Sequence, residues 1–177
     1  MPGLSQPAVI ATGRLVLRPH RADDYDAVAA LWSDPDVVRH IGGVPSTAEE
    51  SWHRLLRYAG QWALLGYGFW AVEEQASGRM IGDVGLFSGK RGLNERFDSA
   101  VEAGWVFAPA FHGQGYAREA MTAALGWADV HLAGRRITCM IDPGNAASLR
   151  LAAVLGFVEV ERTAYKDEAI ILFERKG

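Results

Sequence analysis

The chain has 177 residues, of which 49% are hydrophobic and 22% are charged, and its formal net charge at pH 7 is −3. This length and composition are typical of one ordinary domain that buries a core of its own. No basic segment is interleaved with aromatic residues, which argues against a nucleic-acid partner, and no apolar window approaches the length of a membrane span.

The N-terminal segment and the cysteine content set expectations about domain limits and location. Residues 1–11 carry neither a basic start nor a long apolar stretch, so we interpret them as a flexible tail rather than a signal peptide. Residues 12–177 are then one domain. The single cysteine, Cys139, lies in an apolar run and has no partner for an internal disulfide. It fits a reducing compartment, and we expect a buried thiol in a cytoplasmic protein.

The first half of the chain predicts one strand, two helices and three further strands. Ser46 and Glu49 have the spacing of a capping box and indicate the start of the second helix. Residues 88–98, between the last two strands, are polar and contain glycine, so we expect a mobile loop there. The predicted elements are a strand at 14–18, a helix from Tyr25 to Trp32, a helical turn at 36–40, a helix ending near Ala63, and strands at 67–73, 79–87 and 99–107.

The second half has the clearest helical period of the chain, from Ala117 to Leu132. The strand predicted at 136–141 is apolar throughout its centre, as a buried parallel strand would be. Asn145 is expected to cap a helix that stops at Gly156, and an antiparallel pair at 157–163 and 169–175 follows. A strand–helix–strand unit needs parallel pairing and the hairpins need antiparallel pairing. The fold class is therefore α/β with a mixed sheet that is not doubly wound.

A glycine loop, His112-Gly113-Gln114-Gly115-Tyr116-Ala117, joins the strand at 99–107 to the helix that follows. Two glycines let the backbone turn tightly and expose its N–H groups at the start of a helix, where the peptide dipoles place partial positive charge. Such a loop predicts a phosphate or pyrophosphate site. A P-loop would need Gly-Lys-Ser/Thr, but Tyr116 follows Gly115, and a Rossmann loop would need a small residue in place of Arg118.

Three segments in the right order resemble the GNAT N-acetyltransferases. They are Glu102–Phe107 with the glycine loop and Arg118-Glu119-Ala120, then Ile141–Ser148, then Leu155-Gly156-Phe157. Arg14-Leu15-Val16-Leu17-Arg18-Pro19 resembles the opening strand of the branch that contains the ribosomal-protein alanine N-acetyltransferases. The resemblance implies a mixed, mostly antiparallel sheet with a central splayed parallel strand pair flanked by helices. It also implies acetyl-CoA as the co-substrate.

Cofactor binding by this family implies a set of residues here. The backbone amides of Gly113, Gln114, Gly115, Tyr116 and Ala117 would hold the pyrophosphate. The pantetheine arm would pair with the splayed strands, which implicates Val106, Phe107 and the first-turn residue Asn145. Asn145 has a second interpretation as a helix cap alone. The chain departs from the family pattern at His112, where a basic residue or glutamine is frequent.

Two residues are candidates for the chemistry. Glu102 is a carboxylate on an apolar strand, which suits either a general base acting through water or the partner of an arginine. Ser148 is a candidate general acid for the leaving sulfur, because Ala152 occupies the position where many members carry a tyrosine. A first-turn serine is also common without any catalytic role. The five histidines show no metal-ligand spacing, and no metal is expected.

The resemblance implies transfer of an acetyl group to a primary amine by direct attack in a ternary complex. A protein α-amine, with a pKa near ~8, would need less help from a base than lysine near ~10.4. The acceptor is a peptide or a small molecule, and the protein is a monomer or a homodimer. A small-amine or antibiotic acetyltransferase and a non-catalytic acyl-CoA-binding or regulatory module are the alternatives. Four aromatic residues are candidates either for the acceptor pocket or for the core: Trp32, Trp62, Tyr67 and Trp70.

Overall fold

The computed structural model describes residues 7–175, whose strands all join one sheet in the spatial order β1-β2-β3-β4-β5-β6-β8-β7. The strands are β1 (Ile10–Ala11), β2 (Leu15–Arg18), β3 (Phe69–Glu74), β4 (Met80–Phe87), β5 (Val101–Phe107), β6 (Ile137–Ile141), β7 (Phe157–Tyr165) and β8 (Glu168–Arg175). The helices are α1 (Tyr25–Ser33), α2 (Pro35–Val38), α3 (Ala48–Leu65), α4 (Glu95–Asp98), α5 (Tyr116–His131) and α6 (Ala146–Val154).

The central strands β5 and β6 are parallel, and the other neighbouring strands of the described chain are antiparallel. The predicted mixed, mostly antiparallel sheet with a central parallel pair is therefore confirmed. The parallel ladder is short, because only Val101 with Ile137 and Glu102 with Thr138 are in register. Beyond Glu102, β5 continues against β4 and β6 continues against β8. A wedge thus opens between the two central strands.

The peptide groups that face the wedge follow from the β4–β5 ladder. The N–H of Ala108 donates to the carbonyl of Ile81 at 2.9 Å. In an antiparallel ladder, such bonded positions alternate with positions whose peptide groups point away. The peptide groups of Trp105 and Phe107 therefore point toward β6 beyond the last paired residues, and no ladder partner meets them there in the described chain. The peptide groups of Val106 point the other way, toward β4.

Helices cover both faces of the sheet. The largest apolar cluster joins α5 to the face that carries Val101, Ala103 and Phe107. A second cluster packs α1, α2 and α3 around Val106, on the opposite face. A third joins Phe97 of α4 to Ile170 and Leu172 of β8. The strands beside the wedge are thus held from both sides by packing, although they do not hold each other.

The structure differs from the predicted elements in three places. Ile10 and Ala11, assigned to the tail, pair with β2 as the short strand β1, while residues 1–6 lie outside the described residues. The capping box of α3 is one residue later than expected and joins Thr47 to Glu50. The sequence Ser-Thr-Ala-Glu-Glu satisfies both registers, so its spacing could not decide between them.

The third difference is in the segment expected to be a mobile loop, because residues 95–98 of it form the helix α4. The side chain of Asn94 accepts from the N–H of Phe97 at 2.8 Å, and Phe97 is buried under the sheet. The carboxylate of Asp98 accepts from the N–H of Arg91 at 2.9 Å and from that of Gly92 at 3.2 Å. This segment is thus built around a capped turn and an apolar anchor.

No helix within residues 7–175 combines the length and the apolar composition needed to cross a bilayer.

The close approach of β3 and β4 gives a test of the sheet. A methyl group on Gly85 would lie 2.8 Å from the Cα atom of Phe69, whereas one on Gly126, in α5, would meet no atom within 4 Å. Gly85→Ala should lower the free energy of unfolding by about 1–3 kcal/mol through overpacking. Gly126→Ala, the same chemical change, should raise it by about 0.5–1 kcal/mol because glycine weakens a helix interior. Urea unfolding measures both, and equal effects would contradict the described packing of β4.

Candidate active site

A cleft of about 450 Å³ lies at the end of β5, beyond the residues where β5 pairs with β6. Its walls come from the end of β5, the glycine loop, the first turn of α6 and the α2 region. Of the predicted residues, the cleft brings together Val106, Phe107, Gly113, Gly115, Tyr116, Ala117, Asn145 and Ser148. The cleft is also lined by four residues that had no predicted role: Asp36, His40, Arg118 and Leu151.

The glycine loop has the backbone geometry that its sequence predicts. Gly113 has a φ of +72° and Gly115 a φ of +81°, in the left-handed region that favours glycine. Gly115 is the N-cap residue of α5, so the first N–H groups of that helix have no partner within the helix. The loop from His112 to Gly115 is exposed. A set of unpaired amides at a helix N-terminus therefore stands at one end of the cleft.

Arg14, which directly precedes β2, contacts this loop, and its sequence gave no signal of the contact. Its Nη1 donates to the carbonyl of Gln114 at 2.9 Å, and its Nε forms an ion pair with Glu119 at 2.7 Å. The guanidinium also lies 4.3 Å from the ring centroid of Tyr116. Gln114 does not line the cleft, and its side chain donates to the carbonyl of Ala110 at 2.9 Å. The contribution of Gln114 to an anion site is therefore limited to its backbone.

His112 has a structural contact in place of the phosphate contact that a basic residue would make. Its Nε2 lies 2.8 Å from the carbonyl oxygen of Phe107 and donates to it. This bond satisfies the carbonyl of Phe107 and leaves its N–H directed into the wedge. Arg118, one turn into α5, is exposed and lines the cleft. It is the cationic side chain on this wall that suits a phosphate.

Ser148 is held by an indole. The Nε1 of Trp105 donates to the Oγ of Ser148 at 3.1 Å. The bond uses a lone pair of the hydroxyl and leaves its proton free to be donated elsewhere. Asn145 caps α6, as predicted, with its Oδ1 accepting the N–H of Ser148 at 3.0 Å. The cap leaves the Nδ2 of Asn145 available for a ligand in the cleft.

Glu102 is buried and paired with an arginine, and it is not among the residues that line the cleft. Arg91, from the segment before α4, donates to both carboxylate oxygens, from Nε at 2.8 Å and from Nη2 at 2.7 Å. Gly89 passes so close that a Cβ there would lie 2.5 Å from Oε2 of Glu102. The structure therefore brings Glu102 together with Arg91 and does not bring it together with Ser148.

The ion pair does not fully compensate for the burial of Glu102. Burial raises the pKa of Glu102, and the hydrogen bonds and charge of Arg91 offset this only in part. Burial alone would lower the pKa of Arg91, but its interactions with Glu102 and, to a smaller extent, with Tyr165 together outweigh burial and raise it. Arg91 therefore remains charged and bound, while the carboxylate of Glu102 depends on Arg91 for its stability.

A further pair, His40 with Asp142, was also not predicted. The Nδ1 of His40 lies 2.7 Å from the Oδ2 of Asp142. His40 follows α2 and lines the cleft, and Asp142 follows β6, so the bond connects the α2 region to the end of β6. The two residues are 102 positions apart in sequence, and neither lies in a periodic pattern that would have signalled the contact.

The remaining candidates have structural roles. The aromatic residues Trp32, Trp62, Tyr67 and Trp70 are buried in the core, which favours the packing interpretation over an open pocket wall. Cys139 is buried, and burial raises the pKa of its thiol well above the usual value. Within residues 7–175 no group of three or more potential ligands is arranged for a metal ion.

A second cavity, of about 540 Å³, lies at the other end of α5 beside Arg135, Arg136 and Arg175. It is larger than the cleft but contains none of the predicted site residues. Arg175 is already paired with Asp129 there, and Arg136 with Glu174. The smaller cleft is therefore the candidate active site, because only it combines unpaired strand amides, a glycine loop and Ser148.

The comparisons with known proteins agree with one another on the family. Residues 14–158 match the family described as an acetyltransferase (GNAT) domain. A solved structure from Bordetella pertussis, described as a GnaT-family acetyltransferase, is 34% identical, with a TM-score of 0.86 over 96% of this chain and 99% of that one. The Bacillus subtilis protein YkkB is 27% identical over 95% of both chains.

A more distant structure bears on the predicted branch. The ribosomal-protein-S5-alanine acetyltransferase of Vibrio fischeri is 20% identical, with a TM-score of 0.71 over 95% of this chain and 96% of that one. At this identity the likeness is one of fold.

Removing Arg91 tests the buried ion pair. Arg91→Ala leaves the Glu102 carboxylate buried without its partner, and the free energy of unfolding should fall by about 3 kcal/mol. Arg162→Ala, which removes an exposed ion pair with Glu159, should leave stability nearly unchanged. Urea unfolding at neutral pH makes the comparison. Adding Glu102→Gln to Arg91→Ala should restore part of the loss, and no restoration would show that the deleted packing, rather than the charge, was responsible.

Proposed function

Since the chain belongs to the GNAT acetyltransferase family, whose members transfer acetyl groups from acetyl-CoA to amines, we propose that it acetylates a primary amine by direct attack in a ternary complex. The predicted family is confirmed, and the chain is an acyl-CoA-dependent N-acetyltransferase. The observation that carries the proposal is the opening of the wedge and the glycine loop into one cleft. A single extended ligand with an anionic end and an amide-bearing arm fits both.

The cofactor end of the cleft supplies two kinds of contact. The amides of Gly113, Gly115, Tyr116 and Ala117 would bind the pyrophosphate, with Arg118 adding positive charge. The peptide groups of Trp105 and Phe107 would pair with the amides of the pantetheine arm as a strand edge does. The peptide group of Val106 faces β4, so Val106 would contact the pantetheine arm through its side chain. When bound, acetyl-CoA supplies a thioester whose carbonyl carbon is open to attack by an amine.

The polar groups at the thioester have complementary roles. The N–H of Phe107 would stabilise the oxyanion that develops when the amine attacks. Ser148 would donate its free proton to the departing sulfur, because Trp105 occupies a lone pair of the hydroxyl and fixes its position. Ala152, where a tyrosine acid would stand, is buried and cannot replace it. The base role of Glu102 stays a prediction, and it requires Arg91 to release the carboxylate first.

We propose the acceptor only as a chemical class of amine. A site with one base suits an amine that is partly deprotonated at neutral pH, and a protein α-amine meets this better than lysine. A small-molecule or antibiotic amine would use the same chemistry with another acceptor pocket. The net charge of −3 is compatible with cationic acceptors of either kind. We propose a cytoplasmic location with this activity, for a monomer or a homodimer.

The test is a measurement of CoA release from acetyl-CoA with panels of peptides and small amines. Amine-dependent release, with the acetyl group found on the acceptor by mass spectrometry, supports the proposal. Tight binding of acetyl-CoA without release on any amine would favour the alternative of a non-catalytic acyl-CoA-binding module.

Ser148→Ala tests the general acid. The variant keeps the helix and its cap, so kcat should fall about 10²-fold with little change in the KM for acetyl-CoA. Ser99→Ala removes an exposed hydroxyl far from the cleft and should keep the wild-type rate. Steady-state kinetics on the best acceptor gives both values. A Ser148→Ala rate within a few-fold of wild type would remove Ser148 from the mechanism.

A further inference from the structure

The pair formed by His40 and Asp142 has the geometry of a base held by a carboxylate. The Nδ1 of His40 is 2.7 Å from the Oδ2 of Asp142, and the other oxygen of Asp142 accepts the N–H of Gly144 at 2.7 Å. Partial burial alone would raise the pKa of Asp142, but the bonds from Gly144 and His40 outweigh it and lower the pKa. Asp142 is therefore an ionised acceptor at neutral pH.

The bond to Asp142 fixes the tautomer of the imidazole. An ionised carboxylate only accepts, so the Nδ1 of His40 must carry the proton. The lone pair is then on Nε2, which makes no hydrogen bond within residues 7–175. His40 lines the cleft, with about 31% of its side chain exposed. A neutral imidazole with a free Nε2 can accept a proton in the cleft.

The other candidate base is less favourably placed. Both oxygens of Glu102 are bound by Arg91, and Glu102 does not line the cleft. A general base must reach the proton that it removes, directly or through one water. Glu102 could meet this condition only after a charged bond is broken, whereas His40 already lines the cleft.

We propose that His40 is the general base for the acceptor amine and that Asp142 is its positioning residue. This inference rests on the proposed acetyl transfer. The amine nitrogen forms the new C–N bond to the thioester carbon while its proton moves to Nε2 of His40, giving an imidazolium beside the Asp142 carboxylate. The C–S bond breaks, and the sulfur takes the proton of Ser148. Proton return from His40 to Ser148 through water restores both groups, so the reaction yields the amide and the free thiol.

Other charged groups in the cleft bear on its pH dependence. Asp36 of α2 is on the same wall as His40 and is paired with Arg39. On the glycine-loop side are Arg118 and the second imidazole, His112, whose Nε2 is already bonded to Phe107. Asp142 contacts His40 directly and is therefore the group whose removal should change the behaviour of His40 most.

The experiment compares four single variants in the full-length protein by pH-dependent kinetics on the best acceptor. His40→Gln keeps a polar side chain of similar size but removes the base, and kcat should fall about 10²–10³-fold at neutral pH with little change in the KM for acetyl-CoA. On the acid side, log(kcat/KM) for wild type should rise with a slope of two, for the acceptor and for His40. His40→Gln should retain a slope of one.

The remaining variants distinguish the positioning of His40 by Asp142 from the proton transfer that His40 itself would perform. Asp142→Asn should retain part of the activity, because its amide oxygen still accepts from Nδ1, and should shift the acid limb to lower pH, because the imidazolium loses its counter-ion. His53→Gln, on the exposed side of α3, is the matched control and should behave as wild type. Glu102→Gln tests the alternative base, and its kcat should stay well above that of His40→Gln.

The outcomes separate a failure of this inference from a failure of the proposed function. If wild type transfers acetyl groups but His40→Gln keeps its rate and a slope of two, the inference is wrong and the proposed function stands. The same holds if Glu102→Gln alone abolishes turnover. If wild type releases no CoA with any amine, both fail together. Circular dichroism and acetyl-CoA binding of each variant exclude a loss of fold as the cause of a low rate.

Discussion

The shortness of the β5–β6 ladder is the constraint on which the rest of the structure depends. Two parallel strands pair at only two positions and then separate, although unpaired peptide groups away from water are costly. The separation persists because each strand has another antiparallel neighbour and apolar packing against helices. The unpaired edge is therefore a built feature, which we propose serves as a strand-like binding surface in the middle of a stable sheet. The glycine loop adds N–H groups that suit the anionic end of a ligand.

The treatment of charge around this wedge separates structural from reactive groups. Glu102 occupies the last paired position of β5 and is neutralised by a bidentate arginine, which allows a carboxylate to remain under the segment before α4. The His40–Asp142 pair is partly exposed, and within residues 7–175 no arginine forms an ion pair with Asp142. A buried, fully paired acid suits rigidity, whereas a half-exposed pair with a free lone pair suits proton transfer. This contrast is the physical basis for assigning the base to His40.

The fold, the geometry of the glycine loop and the cap of α6 could be predicted from sequence because their signals are local. Gly113 and Gly115 mark a turn that only glycine makes without strain, and Asn145 marks a helix start. The partners of Glu102 and of Asp142 could not be predicted, since each pair joins residues from different elements. A lone acid on an apolar strand predicts that a partner exists but does not identify Arg91. The helix α4 was not predicted for a related reason. It is stabilised by the burial of Phe97, and the mostly polar sequence around Phe97 gave no sign that this side chain is buried.

Hydrogen–deuterium exchange with and without acetyl-CoA tests the proposed cofactor site most directly, because the contacts would be made by particular backbone amides. We expect strong protection of the amides of residues 113–117 and of Trp105 and Phe107, with little change around Arg135 and Arg136. Protection of the peptides around Arg135 and Arg136, without protection of the glycine loop and the end of β5, would place the ligand in the other cavity. That result would contradict the wedge as the binding surface.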